Sequence, residues 1–317
     1  MPTPRALVTG GAGFIGSHVA AALLAAGQEV VIIDDLSTGK RANIPGGARF
    51  EQLDIRSSDA ATIVREGRFD TLVHLAAQMD VRKSVADPVA DASVNIVGTL
   101  NLLEAVRAAS LRPRVVFSST GGVLYGDFTT PPNVETFEKN PESPYAIAKL
   151  SVEYYLAYYA RVHRLDTVAL RFANVFGPRQ DPHGEAGVVA IFCQRILARR
   201  ALTVFGDGEQ TRDYVYIADV VRAVQLAASA ALPAPAKLDE RGFNIGTSVP
   251  TSVLTIAATL KQIADSDVAV EFAPQRAGEQ LRSFVSIEKA ARLLGWTPKA
   301  TLEAGLSATF RWFQSHS

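Results

Sequence analysis

Val8-Thr9-Gly10-Gly11-Ala12-Gly13-Phe14-Ile15-Gly16 leads from the end of an apolar run, 5–9, straight into a helical pattern. Glycine at these places permits a tight turn and lets the backbone approach a pyrophosphate. It also lets helix and strand pack closely, and the opened helix offers its free N–H groups to the anion. Gly10, Gly13, Phe14, Ile15 and Gly16 are therefore candidate cofactor contacts. Asp34 lies eighteen residues past Gly16 and ends the second apolar run, 29–33. A carboxylate there can take two hydrogen bonds from an adenosine ribose diol and repels a 2′-phosphate, which selects NAD. Lys40 and Arg41 are the cations that could offset that repulsion and admit NADP instead. Asp54 and Ile55, after the third run, could flank the adenine, with a helix cap as the other reading of Asp54.

Outward from this turn, apolar runs at 5–9, 29–33, 48–53, 70–75, 113–118 and 166–171 alternate with helical patterns. Such alternation predicts βαβ units and an α/β fold of the Rossmann type, with a doubly wound parallel sheet. Beyond about residue 175 the rhythm loosens into a loop, 177–184, and shorter elements. The expected division is a NAD-binding domain from 1–174 plus about 213–248, and a smaller mixed C-terminal substrate lobe from about 175–212 plus 249–317. Helix 217–230 and strand 242–245 are joined by a proline-rich surface connection at 232–236.

Lysine plus arginine balance aspartate plus glutamate at 32 each in the 317 residues, with no charge runs, which argues against a nucleic-acid partner. The one cysteine, Cys193, excludes an internal disulfide and fits a buried site in a reducing, cytoplasmic compartment. No signal peptide precedes the first strand, and the longest weakly polar stretch, 14–26, is too short for a membrane span. The five histidines, at 18, 74, 163, 183 and 316, are dispersed, so no metal site is expected.

Two further stretches carry chemistry. Tyr145-Ala146-Ile147-Ala148-Lys149, opened by Pro144, puts a phenol and an ammonium on one helical face. A phenol is a poor base at neutral pH. Two nearby cations, the ammonium and a nicotinamide, would favour the phenolate, and a fall from about 10 to about 7 requires roughly 4 kcal/mol. Val115-Val116-Phe117-Ser118-Ser119-Thr120 is an apolar strand ending in hydroxyls, placed where Thr120 or Ser119 could share a hydrogen bond with a reacting sugar oxygen.

Together these residues resemble the extended short-chain dehydrogenase/reductase family, and within it the NAD-dependent epimerase/dehydratases that act on UDP-glucose. The resemblance runs nearly end to end. It includes the turn Asp34-Asp35-Leu36-Ser37-Thr38-Gly39, His74-Leu75-Ala76-Ala77-Gln78, Asn95, the Tyr145/Lys149 pair, 171–179, 206–214 and Arg276-Ala277-Gly278-Glu279. It implies that Leu75 to Gln78, Asn95, Ser118 and Phe172 line the cofactor and that Lys149 holds the nicotinamide ribose. It also implies that Asn174, Val188, Thr203, Val204, Phe205, Arg212 and Arg276 lie along a UDP-sugar diphosphate, with Glu279 near the uridine ribose. Paired guanidiniums suit a pyrophosphate.

Members of the family share a first step in which the tyrosine takes a hydroxyl proton while C4 gives up hydride, leaving a 4-keto sugar. Related 4,6-dehydratases carry an Asp-Glu pair after the strand-end threonine, where this chain has Gly121 and Gly122; this departure lengthens the turn by one residue. Without an acid or base for elimination, C4 epimerisation of a UDP-sugar is the expected outcome. In the 4-epimerases a tyrosine seven residues after the Arg276 position restricts N-acetylated sugars, and Ser283 stands there. Room for UDP-GlcNAc beside UDP-glucose and UDP-galactose follows. Arg179 or Arg282 could meet a C6 carboxylate, which keeps a UDP-glucuronate 4-epimerase open. A nucleotide-sugar 4-reductase or dehydrogenase with exchangeable cofactor, and a dinucleotide-sensing protein without catalysis, are the rival readings. Helix 145–163 is apolar over much of its circumference, and the resemblance implies a homodimer packed through it and helix 91–109.

Overall fold

A computed structural model describes residues 3–183, 187–235, 237–275 and 280–316. The apolar runs form β1 (Arg5–Thr9), β2 (Glu29–Asp34), β3 (Arg49–Gln52), β4 (Thr71–His74), β5 (Arg114–Thr120) and β6 (Thr167–Phe172), with Gly242–Ile245 as a seventh strand. All pair in parallel, in the order 242–245, β6, β5, β4, β1, β2, β3. Chain order reverses between β1 and β4, so a crevice opens there beyond the carboxyl ends of the strands.

Both faces are covered, which is why the strands read as continuous apolar runs rather than as alternation. One core layer packs Val8, Ile32, Val116 and Leu170 under α1 (Phe14–Ala25) and helix Ile217–Ser229. The other packs Leu7, Ile33, Phe117 and Leu72 under α2 (Ser58–Glu66) and helices Gly98–Ala108 and Pro144–His163. Ser57 caps α2 by accepting from Ala60 N. Asp54 is thus no helix cap; its carboxylate pairs with Arg56 instead.

The run 88–108 is, among the described residues, the one helix long and apolar enough to cross a membrane, where the sequence reading expected none. Its Leu102, Leu103 and Val106 lie in the core against Ala60 and Val64, so packing on the sheet accounts for its composition.

A third core of Phe176, Phe192, Cys193, Leu202, Val204, Leu260 and Phe310 belongs to the smaller lobe. Its strands are short: Asn174–Phe176, Thr211–Tyr216, Pro250–Ser252 and Arg282–Ser283 form one mixed sheet, and Leu202–Phe205 pairs with Val270–Ala273. The late segment with Ala290, Leu294 and Trp296 returns to the core of the large sheet.

Candidate active site

Gly10 has φ +71°, and a Cβ on it would lie 2.7 Å from Ala76 N. A Cβ on Gly16 would lie 2.0 Å from Gly10 O, so only hydrogen fits where α1 meets the turn. Helix α1 is entered through Gly13, which has no side chain to cap it, and this leaves its first N–H groups free for an anion. Asp34 is buried, accepting from Ala12 N at 2.9 Å through one oxygen and from Leu36 N at 2.8 Å through the other. Each oxygen keeps a lone pair for a ribose hydroxyl. Burial raises the Asp34 pKa, and the two backbone N–H groups oppose that. Asp35 Oδ1 takes the backbone and hydroxyl hydrogens of Ser37, folding 34–39 into a cup beside the turn. A cradle without room for Cβ, an uncapped helix and a ribose-facing acid fit the ADP half of NAD.

The strip Leu75 to Gln78 is fixed by a chain of buried polar groups. Thr99 donates to Asn95 O at 2.6 Å, so His74 Nε2 must donate to Thr99 Oγ1 at 2.9 Å. His74 Nδ1 then accepts from Thr9 Oγ1 at 2.7 Å, and Thr9 Oγ1 in turn accepts from Leu75 N and Ala76 N. Burial, with the nearby Lys149 charge, holds His74 down to about 3, consistent with this neutral tautomer. Asn95 lies in a π-turn, 93–97, which breaks the α-helical phase and turns its amide to Gln78. It accepts from Gln78 N and donates to Gln78 O, both at 2.9 Å.

Tyr145 and Lys149 lie on the first turns of helix Pro144–His163, which Ser143 caps. Lys149 Nζ donates to Ser118 O at 2.8 Å, above the Phe117 ring and 5.7 Å from the Tyr145 ring centroid. Burial lowers Lys149 to about 7 while Asp91 and Glu153 oppose it. Tyr145 is pushed up instead, by burial and then by Asp91. The protein alone therefore does not lower the phenol, contrary to the part of the expectation that rested on Lys149. Burial dominates the phenol here, and the positive charge of a bound nicotinamide would act in the opposite direction.

Strand β5 alternation separates the two candidate hydroxyls. Ser119 donates to Glu153 Oε1 at 2.5 Å and so is turned into the protein. Thr120 lies on the other side, toward the turn. A Cβ on Gly122 would be 3.9 Å from Thr120 Oγ1 and 3.7 Å from Asn174 Oδ1, which brings Thr120 and Asn174 together there. Ser283 Oγ donates to Gly122 O at 2.9 Å, closing the same corner.

Of the other expected substrate residues, Arg179 has φ +67° and its Nη1 is buried with no hydrogen-bond partner. Val188 begins helix Val188–Leu197 and is partly exposed. Thr203 Oγ1 accepts from Arg195, Val204 is in the lobe core, and Phe205 and Arg212 are partly exposed. Arg282 is exposed on its strand. Arg276 and Glu279 lie outside the described residues.

Sequence reasoning missed Asp91 and Glu153. Glu153 is four residues after Lys149 and eight after Tyr145, on one face of an otherwise apolar helix surface; that periodicity was the available signal. Arg171, fully buried, spends all five N–H donors on Glu153, Asp239, Tyr125 and the carbonyl of Glu135.

Residues 6–246 match the profile of the NAD dependent epimerase/dehydratase family. The chain belongs to that family, and NAD is its cofactor. It is 43% identical to a UDP-glucose 4-epimerase of Mycolicibacterium smegmatis, with 99% of each chain covered. The crystal structure of a UDP-glucose 4-epimerase with UDP-glucose from Thermotoga maritima superposes with a TM-score of 0.93 at 43% identity, covering 98% of this chain and 99% of that one. A Thermus thermophilus UDP-glucose 4-epimerase in complex with NAD gives 0.90 at 40% identity, covering 99% and 100%.

Proposed function

We propose that this chain interconverts UDP-glucose and UDP-galactose by inverting C4 through a 4-keto sugar, with NAD retained through the cycle. The observation that carries this reading is Lys149 at the end of β5, bonded to Ser118 O and 5.7 Å from the Tyr145 ring centroid, with Thr120 ending the same strand just before a turn, Gly121-Gly122, that holds no acid or base. Bound NAD supplies a site that accepts hydride from C4 and returns it. Tyr145 takes and gives back the C4 hydroxyl proton, Thr120 bridges that oxygen and the phenol, and Lys149 holds the nicotinamide ribose and supplies positive charge. Ser119 serves the site from behind, through Glu153. Asn174, Arg179, Val188, Thr203, Phe205 and Arg212 are the substrate-side residues of this reading, with Arg276 and Glu279 on the nucleotide.

Purified protein given UDP-galactose should form UDP-glucose without added NAD⁺, read by chromatographic separation of the two UDP-sugars. Stoichiometric consumption of added NAD⁺ with no C4 isomer formed would make it a dehydrogenase. A second substrate, UDP-GlcNAc, is favoured by Ser283, a small residue at the Gly122 corner. Turnover of UDP-glucuronate instead would point to Arg179 as the group meeting a C6 carboxylate.

A homodimer fits the exposed apolar side chains on the two outer helices. Tyr154, Tyr155, Tyr158 and Val162 on one, and Val89 and Val97 on the other, face away from the sheet. Light scattering at micromolar concentration should give twice the mass of one chain. The buried, unpaired Cys193 supports a reducing, cytoplasmic setting.

A further inference from the structure

Two buried acids lie within electrostatic reach of Lys149, and they are satisfied differently. Glu153 is on Lys149's own helix; both of its oxygens are bonded to Arg171, and one also accepts from Ser119. Its charge is neutralised on the spot. Asp91 is on the neighbouring short helix Pro88–Ala92 and is 1% exposed. Its Oδ1 accepts from Gln78 Nε2 and from Asn95 Nδ2, both at 2.9 Å. Its Oδ2 is buried and has no hydrogen-bond partner.

A buried carboxyl oxygen without a donor carries a desolvation cost, and such an oxygen persists where another interaction offsets it. No arginine or lysine forms an ion pair with Asp91 among the described residues. Among the described residues, the charged and titratable groups around Lys149 are Tyr145 and Glu153 on its own helix, His74 on β4, and Asp91. His74 is held neutral by burial, and Glu153 is matched by Arg171. Asp91 is the remaining unmatched acid.

Resting on the roles given above to Tyr145 and Lys149, we propose that Asp91 is a positioning residue for the reaction. Its unbonded oxygen is the buried counter-charge of the Lys149 ammonium, while its bonded oxygen locks Gln78 and Asn95 along the cofactor. One acid thereby ties the cofactor strip to the proton-transfer helix. Electrostatically it acts on both members of the pair in the same direction, raising the proton affinity of Lys149 against burial and that of Tyr145 along with it. It does not touch the reacting atoms and works through those two side chains.

Asp91→Asn keeps the shape and can keep the bonds to Gln78 and Asn95, so it isolates the charge. In the NAD-loaded enzyme the kcat–pH profile of Asp91→Asn should move to lower pH by about one unit, the low end for an opposite charge at close range. KM for the UDP-sugar should change little, and Asp91→Glu should restore the profile. A second readout needs no turnover: the phenolate absorbance of Tyr145, taken as the difference between each protein and its Tyr145→Phe counterpart, should also titrate about one unit lower in Asp91→Asn. A residue with only a structural role would lower the height of the profile and leave its limbs in place.

Limbs and phenolate titration that stay unmoved, or that rise, in folded NAD-bound Asp91→Asn overturn the proposal. If that variant does not fold, Asp91→Ser, also neutral and smaller, reads the same quantities. A wild-type enzyme that fails to interconvert C4 isomers would remove the functional reading, while the absorbance titration would still decide the role of Asp91.

Discussion

The two halves of this molecule present their candidate ligand-binding residues by different means. The sheet half positions its groups with backbone at strand ends, and buried networks then lock them: Thr9, His74 and Thr99 under the Leu75–Gln78 strip, and Arg171 and Glu153 behind Ser119. The lobe offers partly exposed side chains from short strands and a helix start, such as Thr203, Phe205, Arg212 and Val188. A group that is ordered before ligand binding loses less entropy when it is used, so the rigid half suits a cofactor kept through every cycle. On the proposed mechanism, the partly exposed half suits a sugar that must enter, turn over as its ketone and leave. Changes in the first should abolish chemistry or folding, whereas changes in the second should alter which sugar is taken.

The largest effect expected is from Tyr145→Phe, which removes the proton acceptor and leaves the ring. Interconversion of UDP-glucose and UDP-galactose should fall by about 10³-fold, within the range for a positioned general base. The nucleotide released on denaturation should still be NAD. Retained activity near wild-type would break the assignment of the sheet half to chemistry.

Next comes Glu153→Gln. It leaves the Arg171 guanidinium, which is fully buried, with only Asp239 as a charged partner. Breaking one side of a buried pair costs about 3 kcal/mol or more. Thermal unfolding should show a clear fall in Tm, larger than for any single truncation of Thr203 or Arg212. Equal effects in the two halves would contradict the contrast drawn between them.

How far the sequence foretold this arrangement follows the same division. The glycine turn, Asp34 and the Tyr145/Lys149 spacing were legible because each requirement is local: a turn without Cβ, a strand-end acid, one helical face. Six of the strands were legible from apolar runs, the inner ones because burial on both faces removes alternation, and 242–245 was expected as a strand after the proline-rich connection. What was hidden depends on pairings between residues far apart in the chain. Ser119 and Thr120 are equivalent as sequence, and only the partner of Ser119, thirty-four positions on, separates them. The tautomer of His74 rests on Thr9 and Thr99, and the locking of Gln78 rests on a π-turn with no compositional mark. Asp54 kept a second reading as a helix cap until Ser57 took that role. The lobe was the least legible, since its strands of two to six residues carry too little periodicity to place a side chain.

The smallest effect expected tests the lobe side of the comparison. Ser283 is nearly fully buried, and its hydroxyl donates to Gly122 O, at the corner where Thr120 and Asn174 meet. A serine side chain is much smaller than a phenol, and an N-acetyl group on the sugar ring needs volume that a hydroxyl does not. Ser283→Tyr should therefore lower turnover of UDP-GlcNAc relative to UDP-glucose by about 10-fold, the lower end of what pocket shape alone discriminates. Turnover of UDP-glucose itself should stay within a few-fold, because Tyr145, Lys149 and the glycine turn belong to the other half. The decisive quantity is the ratio of kcat/KM for the two sugars, since a general loosening of the fold lowers both together. A ratio left unchanged by the tyrosine would mean that the N-acetyl group lies elsewhere, and that the Gly122 corner shapes the position of Thr120 rather than the choice of sugar.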